Sequence, residues 1–352
     1  MNNFDRRIRN LPPSVWMTIA RIDEIKGRWS QGANLHPYQL AHVRKTVLVT
    51  STGASTRIEG ATLTDADVEK LLRRAEPKAA EGKDEQEVRG YSGLLERVFD
   101  LHASIPFSES TILSFHNEMM RFVEAAEPFR GRYKSVENAV TAVGPKGSAV
   151  VMRTTPPYLV RKEMETLLEW TGDRLASGDV HPLAVVANFV VEFLKIHPFQ
   201  DGNGRLSRIL TSLLLLKSGY AFAPYVSHER IIERRRKDYY LALRRSQAGI
   251  GTDAEDVLPW VEFFLAVTLE QSEKAVALME GADVGDVLSE RQLSVYNAVV
   301  SGNGASAGEV AVSTGVGRPT VNQALAKLVT MKKITKTGIG RGTRYWPTRK
   351  QP

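Results

Sequence analysis

The sequence predicts a mainly α-helical protein that carries one β-hairpin and a small basic domain near the end of the chain. Three observations predict this fold. Apolar residues recur at three- and four-residue spacing through most of the first 280 residues, as they do on the buried face of a helix. Two short apolar runs flank a Gly-Pro-Lys-Gly sequence at 144–147, which is a hairpin signal. Lysine and arginine are concentrated after residue 288.

The net charge of +7 is unevenly distributed along the 352 residues. Residues 289–352 contain ten lysines or arginines and two glutamates, a balance of +8, so the other 288 residues sum to −1. A separate basic module with an anionic partner is therefore expected here. We divide the chain into an N-terminal helical region at 1–105, a helical core at 106–280 and a C-terminal domain at 281–352.

The composition excludes several classes of site. The chain has no cysteine, which rules out disulfides, thiolate zinc sites and a cysteine nucleophile. The segment Met1–Arg7 lacks the apolar core of a signal peptide. The apolar run Leu213–Leu216 ends at Lys217 and is too short to cross a bilayer. We expect a cytoplasmic protein with no membrane partner.

The first hundred residues are predicted to form helices. The first carries a buried stripe at helical spacing, formed by Trp16, Ile19, Ile22, Ile25 and Trp29. A second helix covers 37–50 and is broken at 51–54, which leaves a short polar segment, Ser55–Glu59. A capping box at Thr64 opens a third helix through residue 74, and a fourth covers 85–101.

The helical core is interrupted once by strands. The predicted strands are Thr141–Val143 and Ala149–Met152. The predicted helices are 109–123, 160–176, 182–196, 206–218, 231–246 and 257–279. Residues 281–286 are predicted to be a linker.

The turn between two of these helices carries most of the chemistry. It reads His197-Pro-Phe-x-x-Gly-Asn-Gly-Arg-x-x-Arg208 and is not a Walker A loop. Gly202 and Gly204 permit close approach of a ligand, and free N–H groups at the start of a helix bind anions. Two arginines three residues apart can reach one side of that helix. The turn is therefore predicted to hold phosphates.

Two further side chains of the turn suit a phosphate-transfer reaction. Asp201 is a carboxylate suited to a hard cation such as Mg²⁺. His197 has an ordinary pKa near neutrality and is able to take a proton from a hydroxyl. The combination points to a nucleotide-using transferase.

At these residues the sequence resembles the Fic family, whose motif His-Pro-Phe-x-Asp/Glu-Gly-Asn-Gly-Arg-x-x-Arg is matched at every specified position. The resemblance implies a helical domain with a β-hairpin flap that transfers AMP from ATP to a Ser, Thr or Tyr hydroxyl of a target protein. It implies that His197 is the general base, that Asp201 holds Mg²⁺ and that Arg208 binds the γ-phosphate. The remaining phosphate contacts are implied at Gly202, Asn203, Gly204 and Arg205.

The resemblance also implies where the target and the adenine bind. The hairpin at 141–152 would dock the target segment by strand pairing, through Val150, Val151 and Met152. The segment Arg236–Leu243 resembles the family's tyrosine-pair helix, so adenine is expected near Tyr240, Leu243 and Gln247. Members of the family commonly have Asn at the position of Gln247.

The polar segment before Gly60 resembles the family's inhibitory signature, Ser/Thr-x-x-x-Glu-Gly/Asn. Ser55 and Glu59 are four residues apart and share one helix face. Glu59 would pair with Arg208 and put a negative charge where the γ-phosphate must lie. This arrangement implies a self-inhibited enzyme. Alternatively, Glu59 aligns a water molecule and the site removes AMP from modified targets.

The basic end of the chain is predicted to be a winged helix-turn-helix. Ser289 caps a first helix, 307–314 forms a second, and Pro319 opens a third over 320–330. Residues 335–346 form the wing, which has three glycines and two arginines. Its charge favours DNA binding through phosphates, but such a domain also serves for protein docking or dimerisation.

We therefore expect a self-inhibited protein adenylyltransferase that uses ATP and Mg²⁺ and acts on a target protein and on itself. The alternatives are a de-AMPylase, a DNA-binding regulator with a nucleotide-sensing domain, and transfer of another nucleotide or phosphocholine. A homodimer is left open by the sequence.

Overall fold

The structure is a computed structural model that describes residues 3–32, 37–74, 82–144, 147–252, 254–279, 288–302, 304–331 and 333–348. The predicted linker at 281–286 and the hairpin residues 145–146 lie outside these ranges. Two compact units are present, one formed by Met1–Gly32 with Leu48–Val276 and the other by Ala33–Val47 with Ala277–Pro352.

The described residues are mainly helical, as predicted. The helices are α1 Asn3–Arg9, α2 Pro13–Gly32, α3 Pro37–Ile58, α4 Asp65–Leu72, α5 Lys83–Leu101, α6 Glu109–Met119, α7 Pro157–Ser177, α8 Pro182–Ile196, α9 Asn203–Lys217, α10 His228–Arg234, α11 Arg236–Ala248, α12 Leu258–Met279, α13 Glu290–Ser301, α14 Ala307–Thr314 and α15 Arg318–Thr330. The strands are β1 Ala139–Gly144, β2 Gly147–Arg153, β3 Ile334–Thr337 and β4 Arg344–Pro347. Each pair of consecutive strands forms an antiparallel two-stranded sheet.

Helix α8 is the centre of the first unit. It is apolar almost all round, thirteen of its fifteen residues are buried, and it packs between α7 and α9. The helix ends at His197, which has a left-handed backbone (φ 52°), and Pro198 follows. Gly202 (φ 80°) then caps α9. Two buried helices thus fix both ends of the turn.

The predicted break at 51–54 is wrong, because α3 runs through it without interruption. Ser51 and Thr56 are hydrogen-bonded inside the protein, whereas the buried Thr52 hydroxyl has no partner among the described residues. Thr56 Oγ1 donates to the carbonyls of Thr52 and Gly53, and the Ser51 hydroxyl donates to Ser227 Oγ at 2.8 Å. A Cβ on Gly53 would lie 2.6 Å from Arg57 Nη1, so this glycine makes room for a side chain rather than for a turn.

Four smaller predictions are also wrong. Trp16, assigned to the buried stripe, is 39% exposed. The 109–123 helix ends at Met119 and is followed by a 3₁₀ turn at Glu124–Ala126. The 231–246 helix is two helices, α10 and α11, separated at Arg235, whose backbone (φ −108°, ψ 30°) is not helical, and α10 starts earlier because Ser227 caps it. Helix α9 begins at Asn203, three residues before the predicted start, because Gly202 is its cap.

Among its described residues, the second unit contains the first part of α3, the helices α13, α14 and α15 and the β3–β4 hairpin. Val295, Val321 and Leu325 are fully buried in its core with residues of all three helices and Ile334 of β3. The β3–β4 register pairs Ile334 with Pro347. Ala305, just before α14, makes an isolated bridge to β4. The winged helix-turn-helix assignment stays a prediction.

No described helix combines the length and the apolar character that a membrane span requires.

Candidate active site

The turn between α8 and α9 is closed by its own side chains. Phe199 is fully buried, and its backbone N–H donates to Asn203 Oδ1 at 2.9 Å. Asn203 Nδ2 donates back to the Phe199 carbonyl at 2.7 Å. Both polar atoms of the Asn203 side chain are therefore engaged within the turn. The side chain shapes the turn here, and its predicted phosphate contact stays a prediction.

His116 on α6 packs against the turn, and the sequence analysis did not identify it. Its ring stacks on Phe199 with centroids 3.9 Å apart. The Gly131 N–H donates to Nδ1 at 2.8 Å, so the ring proton lies on Nε2, which donates to the Asp201 carbonyl at 3.1 Å. Burial lowers the pKa of His116 to about 4 and keeps the ring neutral. Its neighbours on α6 are apolar, so the sequence makes it look like a core residue.

His197 is oriented as a base. Its Nδ1 lies 3.2 Å from the Leu194 carbonyl, which only accepts hydrogen bonds, so Nδ1 carries the proton and Nε2 keeps its lone pair. Burial lowers the pKa of His197, and the positive charge of Lys134 lowers it further. The imidazole is therefore neutral at pH 7, as a proton acceptor must be.

Asp201 has the features of a single carboxylate ligand. Its Oδ1 accepts from the Gly202 N–H at 2.6 Å and from Arg205 Nη2 at 3.2 Å, and 45% of its side chain is exposed. Burial disfavours its ionised form, but Arg205 and the Gly202 N–H outweigh this and lower the pKa of Asp201. The described residues contain no cluster of three candidate metal ligands. Asp201 therefore fits Mg²⁺ held jointly with substrate phosphates, which is how Mg²⁺ commonly binds.

Arg205 is buried and depends on a partner that the sequence analysis missed. Its Nη1 pairs with Glu87 Oε2 of α5 at 2.7 Å, and both side chains are less than a tenth exposed. Arg205 Nε has no hydrogen-bond partner among the described residues. A buried guanidinium with an unused donor fits an anion.

Arg208 contacts both predicted inhibitory residues. Its Nε donates to Ser55 Oγ at 2.8 Å, and its Nη2 donates to Glu59 Oε1 at 2.8 Å and to the Ser55 carbonyl at 2.9 Å. Burial favours the neutral guanidine, but Glu59 raises the pKa of Arg208 above its ordinary range. A Cβ on Gly204 would lie 2.2 Å from Glu59 Oε1. The carboxylate thus lies against the first turn of α9.

The end of α3 is anchored around Glu59. Arg57 donates to both carboxylate oxygens of Glu233 at 2.6 and 3.2 Å and to Asp65 at 2.8 Å. The Tyr240 hydroxyl donates to the Ile58 carbonyl at 3.0 Å. The two residues that precede Glu59 are therefore held in place, which restricts the movement of its carboxylate.

The remaining predicted residues lie on α11 and β2. Leu243 is buried, and Gln247 Nε2 donates to the Val191 carbonyl of α8 at 3.3 Å. In the hairpin, Val140 pairs with Met152 and Thr141 with Val150, so Val151 is the extra residue of a β-bulge. The adenine and target-docking roles stay predictions.

Comparisons with known proteins agree with the motif. A sequence profile described as the Fic/DOC family matches residues 106–215. Protein adenylyltransferase Fic of Drosophila virilis is 26% identical over 275 residues, which are 72% of this chain and 51% of that protein. The protein of the same name from Drosophila erecta is 29% identical over 220 residues, 61% of this chain and 39% of that protein. The chain thus spans about half the length of these relatives, or less.

Solved structures give the same assignment. A Fic family protein from Desulfovibrio desulfuricans has a TM-score of 0.63 at 27% identity, over 97% of this chain and 98% of that chain. A Fic domain containing signaling protein from Bacteroides thetaiotaomicron has a TM-score of 0.63 at 22% identity, over 77% of this chain and 99% of that chain. Fic-1 from C. elegans has a TM-score of 0.59 at 20% identity, over 77% and 76% of the two chains. At 22% and 20% identity, the last two structures support the fold alone.

Proposed function

This chain belongs to the Fic family through the domain at 106–215, and from that premise we propose that it is a self-inhibited protein adenylyltransferase. It transfers AMP from ATP to a Ser, Thr or Tyr hydroxyl of a target protein and of itself, and pyrophosphate leaves. The names of its relatives support the reaction. The proposed inhibition is supported by the position of the Glu59 carboxylate, which is paired with Arg208 and lies against Gly204.

The chemistry follows from the geometry of the turn. His197 Nε2 accepts the proton of the incoming hydroxyl, whose oxygen forms a bond to the α-phosphorus while the bond to pyrophosphate breaks. Asp201 would hold Mg²⁺, which supplies charge neutralisation on the phosphates when bound. Arg205, Arg208 and the backbone N–H groups that open α9 hold the anionic oxygens in place. Catalysis of this kind is mainly positioning and charge stabilisation.

The inhibition follows from charge. A carboxylate at the start of α9 occupies space that an anionic phosphate needs, and it uses a donor of Arg208. ATP must therefore displace Glu59 before its γ-phosphate reaches the guanidinium. Removing the carboxylate frees both the space and the donor.

The experiment is AMP transfer by Glu59→Gly. Purified variant and wild type are incubated with ATP and Mg²⁺, and the products are weighed by intact mass spectrometry. We expect the variant to gain about 329 Da, the formula mass of one added AMP group, and the wild type to gain little. Glu59→Gly/His197→Ala is the matched control and should gain nothing. Equal labelling of wild type and Glu59→Gly would contradict the inhibitory role, and no labelling of either would contradict the transferase.

The catalytic core is proposed to extend over 106–280, and the domain at 281–352 to bind DNA. The balance of +8 beyond residue 288 supports DNA binding through phosphates. Arg318 opens α15, and Arg344 lies on β4, where a recognition helix and a wing would place basic side chains. A mobility-shift assay with duplex DNA at two salt concentrations tests this, since phosphate binding must weaken steeply with salt. The cytoplasmic location and a homodimer stay predictions.

A further inference from the structure

Lys134 is a buried lysine that the reaction described above does not use. It lies between α6 and β1, and only 3% of the residue is exposed. Lysine is almost never fully buried unless an opposite charge compensates it. Among the described residues no carboxylate lies within ion-pair distance of its Nζ; the nearest acidic influences are Glu163 and Glu137. Such a costly placement points to a role for the ammonium group.

The three donors of the ammonium have three specific acceptors. Nζ donates to Asn138 Oδ1 at 2.8 Å, to Thr154 Oγ1 at 2.6 Å and to the Ile196 carbonyl at 3.2 Å. Asn138 immediately precedes β1 and Thr154 immediately follows β2, so these two residues form the base of the hairpin. Ile196 is the last residue of α8 and immediately precedes His197. One ammonium therefore joins the base of the hairpin to the residue that immediately precedes His197.

The same segment binds the turn at two more places. The Lys134 N–H donates to the Pro198 carbonyl at 2.9 Å, and Asn138 Nδ2 donates to the Phe199 carbonyl at 3.0 Å. Carbonyls on both sides of His197 are thus held from outside the turn. His197 is the only described non-glycine residue with a positive φ. A strained backbone of this kind persists only where surrounding contacts impose it.

We propose that Lys134 is a positioning residue that aligns His197 for proton transfer and couples this alignment to the base of the hairpin. This inference rests on the proposed adenylyl transfer. The charged groups that face His197 are Lys134, Glu59 and Asp201. The ammonium also favours the neutral imidazole, so it supports both the geometry and the protonation state of the base.

The experiment compares Lys134→Met with its parent, Glu59→Gly, in steady-state self-labelling with ATP and Mg²⁺. We expect kcat to fall about 100-fold, the effect of misplacing a reacting group by about 1 Å, while KM for ATP stays within about twofold. Lys195→Met is the matched control, because Lys195 pairs with Glu163 and Glu192 and makes no contact with the turn carbonyls. Its kcat should stay within a few-fold of the parent. Equal kcat for Lys134→Met and the parent would overturn the proposal.

A second readout does not depend on transfer. The imidazole of His197 is titrated by NMR, its signal assigned by comparison with His197→Ala. We expect its pKa to rise in Lys134→Met, because a positive charge has been removed. An unchanged titration would overturn the proposed influence of Lys134 on His197, whereas absence of transfer by the parent itself would refute only the proposed function. If Lys134→Met does not fold, Thr154→Val removes one acceptor of Lys134 Nζ together with the bond from the Thr154 hydroxyl to Asn138. A kcat about 10-fold lower supports the proposal, and an unchanged kcat overturns it.

Discussion

Replacing Glu59 should change how strongly ATP stabilises the folded protein. Arg208 is 3% exposed, and Glu59 pairs with it at 2.8 Å. In Glu59→Gly the guanidinium keeps its two bonds to Ser55 but loses its charged partner. Breaking a buried ion pair from one side costs about 3–5 kcal/mol. Because the Glu59 side chain is 33% exposed, we expect a smaller loss, about 2 kcal/mol in the free energy of unfolding without ligand.

ATP should restore this lost stability in the variant, and it should stabilise the wild type much less. In the variant the γ-phosphate takes the place of the carboxylate, and a ligand at 100 times its Kd adds about 2.7 kcal/mol. In the wild type the phosphate must first displace Glu59, so much of the gain is lost. For a unit of this size the difference corresponds to a Tm shift of about 5 °C between the two proteins.

The assay is thermal unfolding at increasing ATP with constant Mg²⁺. Both proteins carry His197→Ala, so ATP is not consumed and no self-modification occurs during the measurement. AMP is the control nucleotide: it lacks the γ-phosphate and should stabilise both proteins equally. Glu59→Gln, which keeps the size of the side chain and loses its charge, should give an ATP-induced Tm shift between those of the wild type and Glu59→Gly. The same ATP-induced Tm shift in wild type and variant would refute competition for Arg208.

Three further predictions concern the packing around the site. Arg57→Met removes the ion pairs that anchor the end of α3, so we expect about 3 kcal/mol less stability in urea and more self-labelling than wild type; unchanged labelling would contradict the anchoring role. His228 is buried with a pKa of about 4, below its ordinary 6.5, so the unfolded state binds more protons in this range. His228 should therefore account for a loss of about 2 kcal/mol in the free energy of unfolding between pH 7 and pH 5, so His228→Leu should lose about 2 kcal/mol less than the wild type; an equal loss would exclude this histidine as a source. Gly90→Ala would place a Cβ 1.8 Å from the Met119 carbonyl and should cost about 3 kcal/mol, whereas Gly93→Ala, with open space around it, should stabilise the helix slightly.

The sequence predicted those elements whose stability is local. The apolar run of α8, the capping box at Thr64 and the helix cap at Ser289 are all confirmed, because each depends on residues within a few positions of one another. Helix α3 was divided wrongly for the opposite reason. Its Ser- and Thr-rich segment looks solvent-exposed by composition, but tertiary contacts such as Ser51 to Ser227 bury it. Periodicity in a single sequence does not report such contacts.

In the active site, too, the residues that are close in sequence were predicted and those that are distant in sequence were missed. The turn was predicted as a unit because its residues are contiguous. Its supports were not: Glu87, His116 and Lys134 come from segments 62 or more residues away in sequence from the turn residues they contact. Each looks ordinary where it stands, Glu87 as one of many charged residues on α5 and His116 as a polar residue on an apolar face. Their roles can be recognised only from the interatomic distances in the structure.

The length of the motif has a physical reason. Only part of it faces a ligand: His197 presents a lone pair, and Gly204 and Arg208 form the surface that the Glu59 carboxylate contacts. The rest shapes the backbone, with Phe199 buried and its N–H and carbonyl both bonded to a side chain of the same turn. A left-handed histidine followed by proline has little intrinsic stability. Pro198, Phe199 and Asn203 therefore serve to hold the turn in shape, and a motif without them would leave the His197 side chain without a defined position.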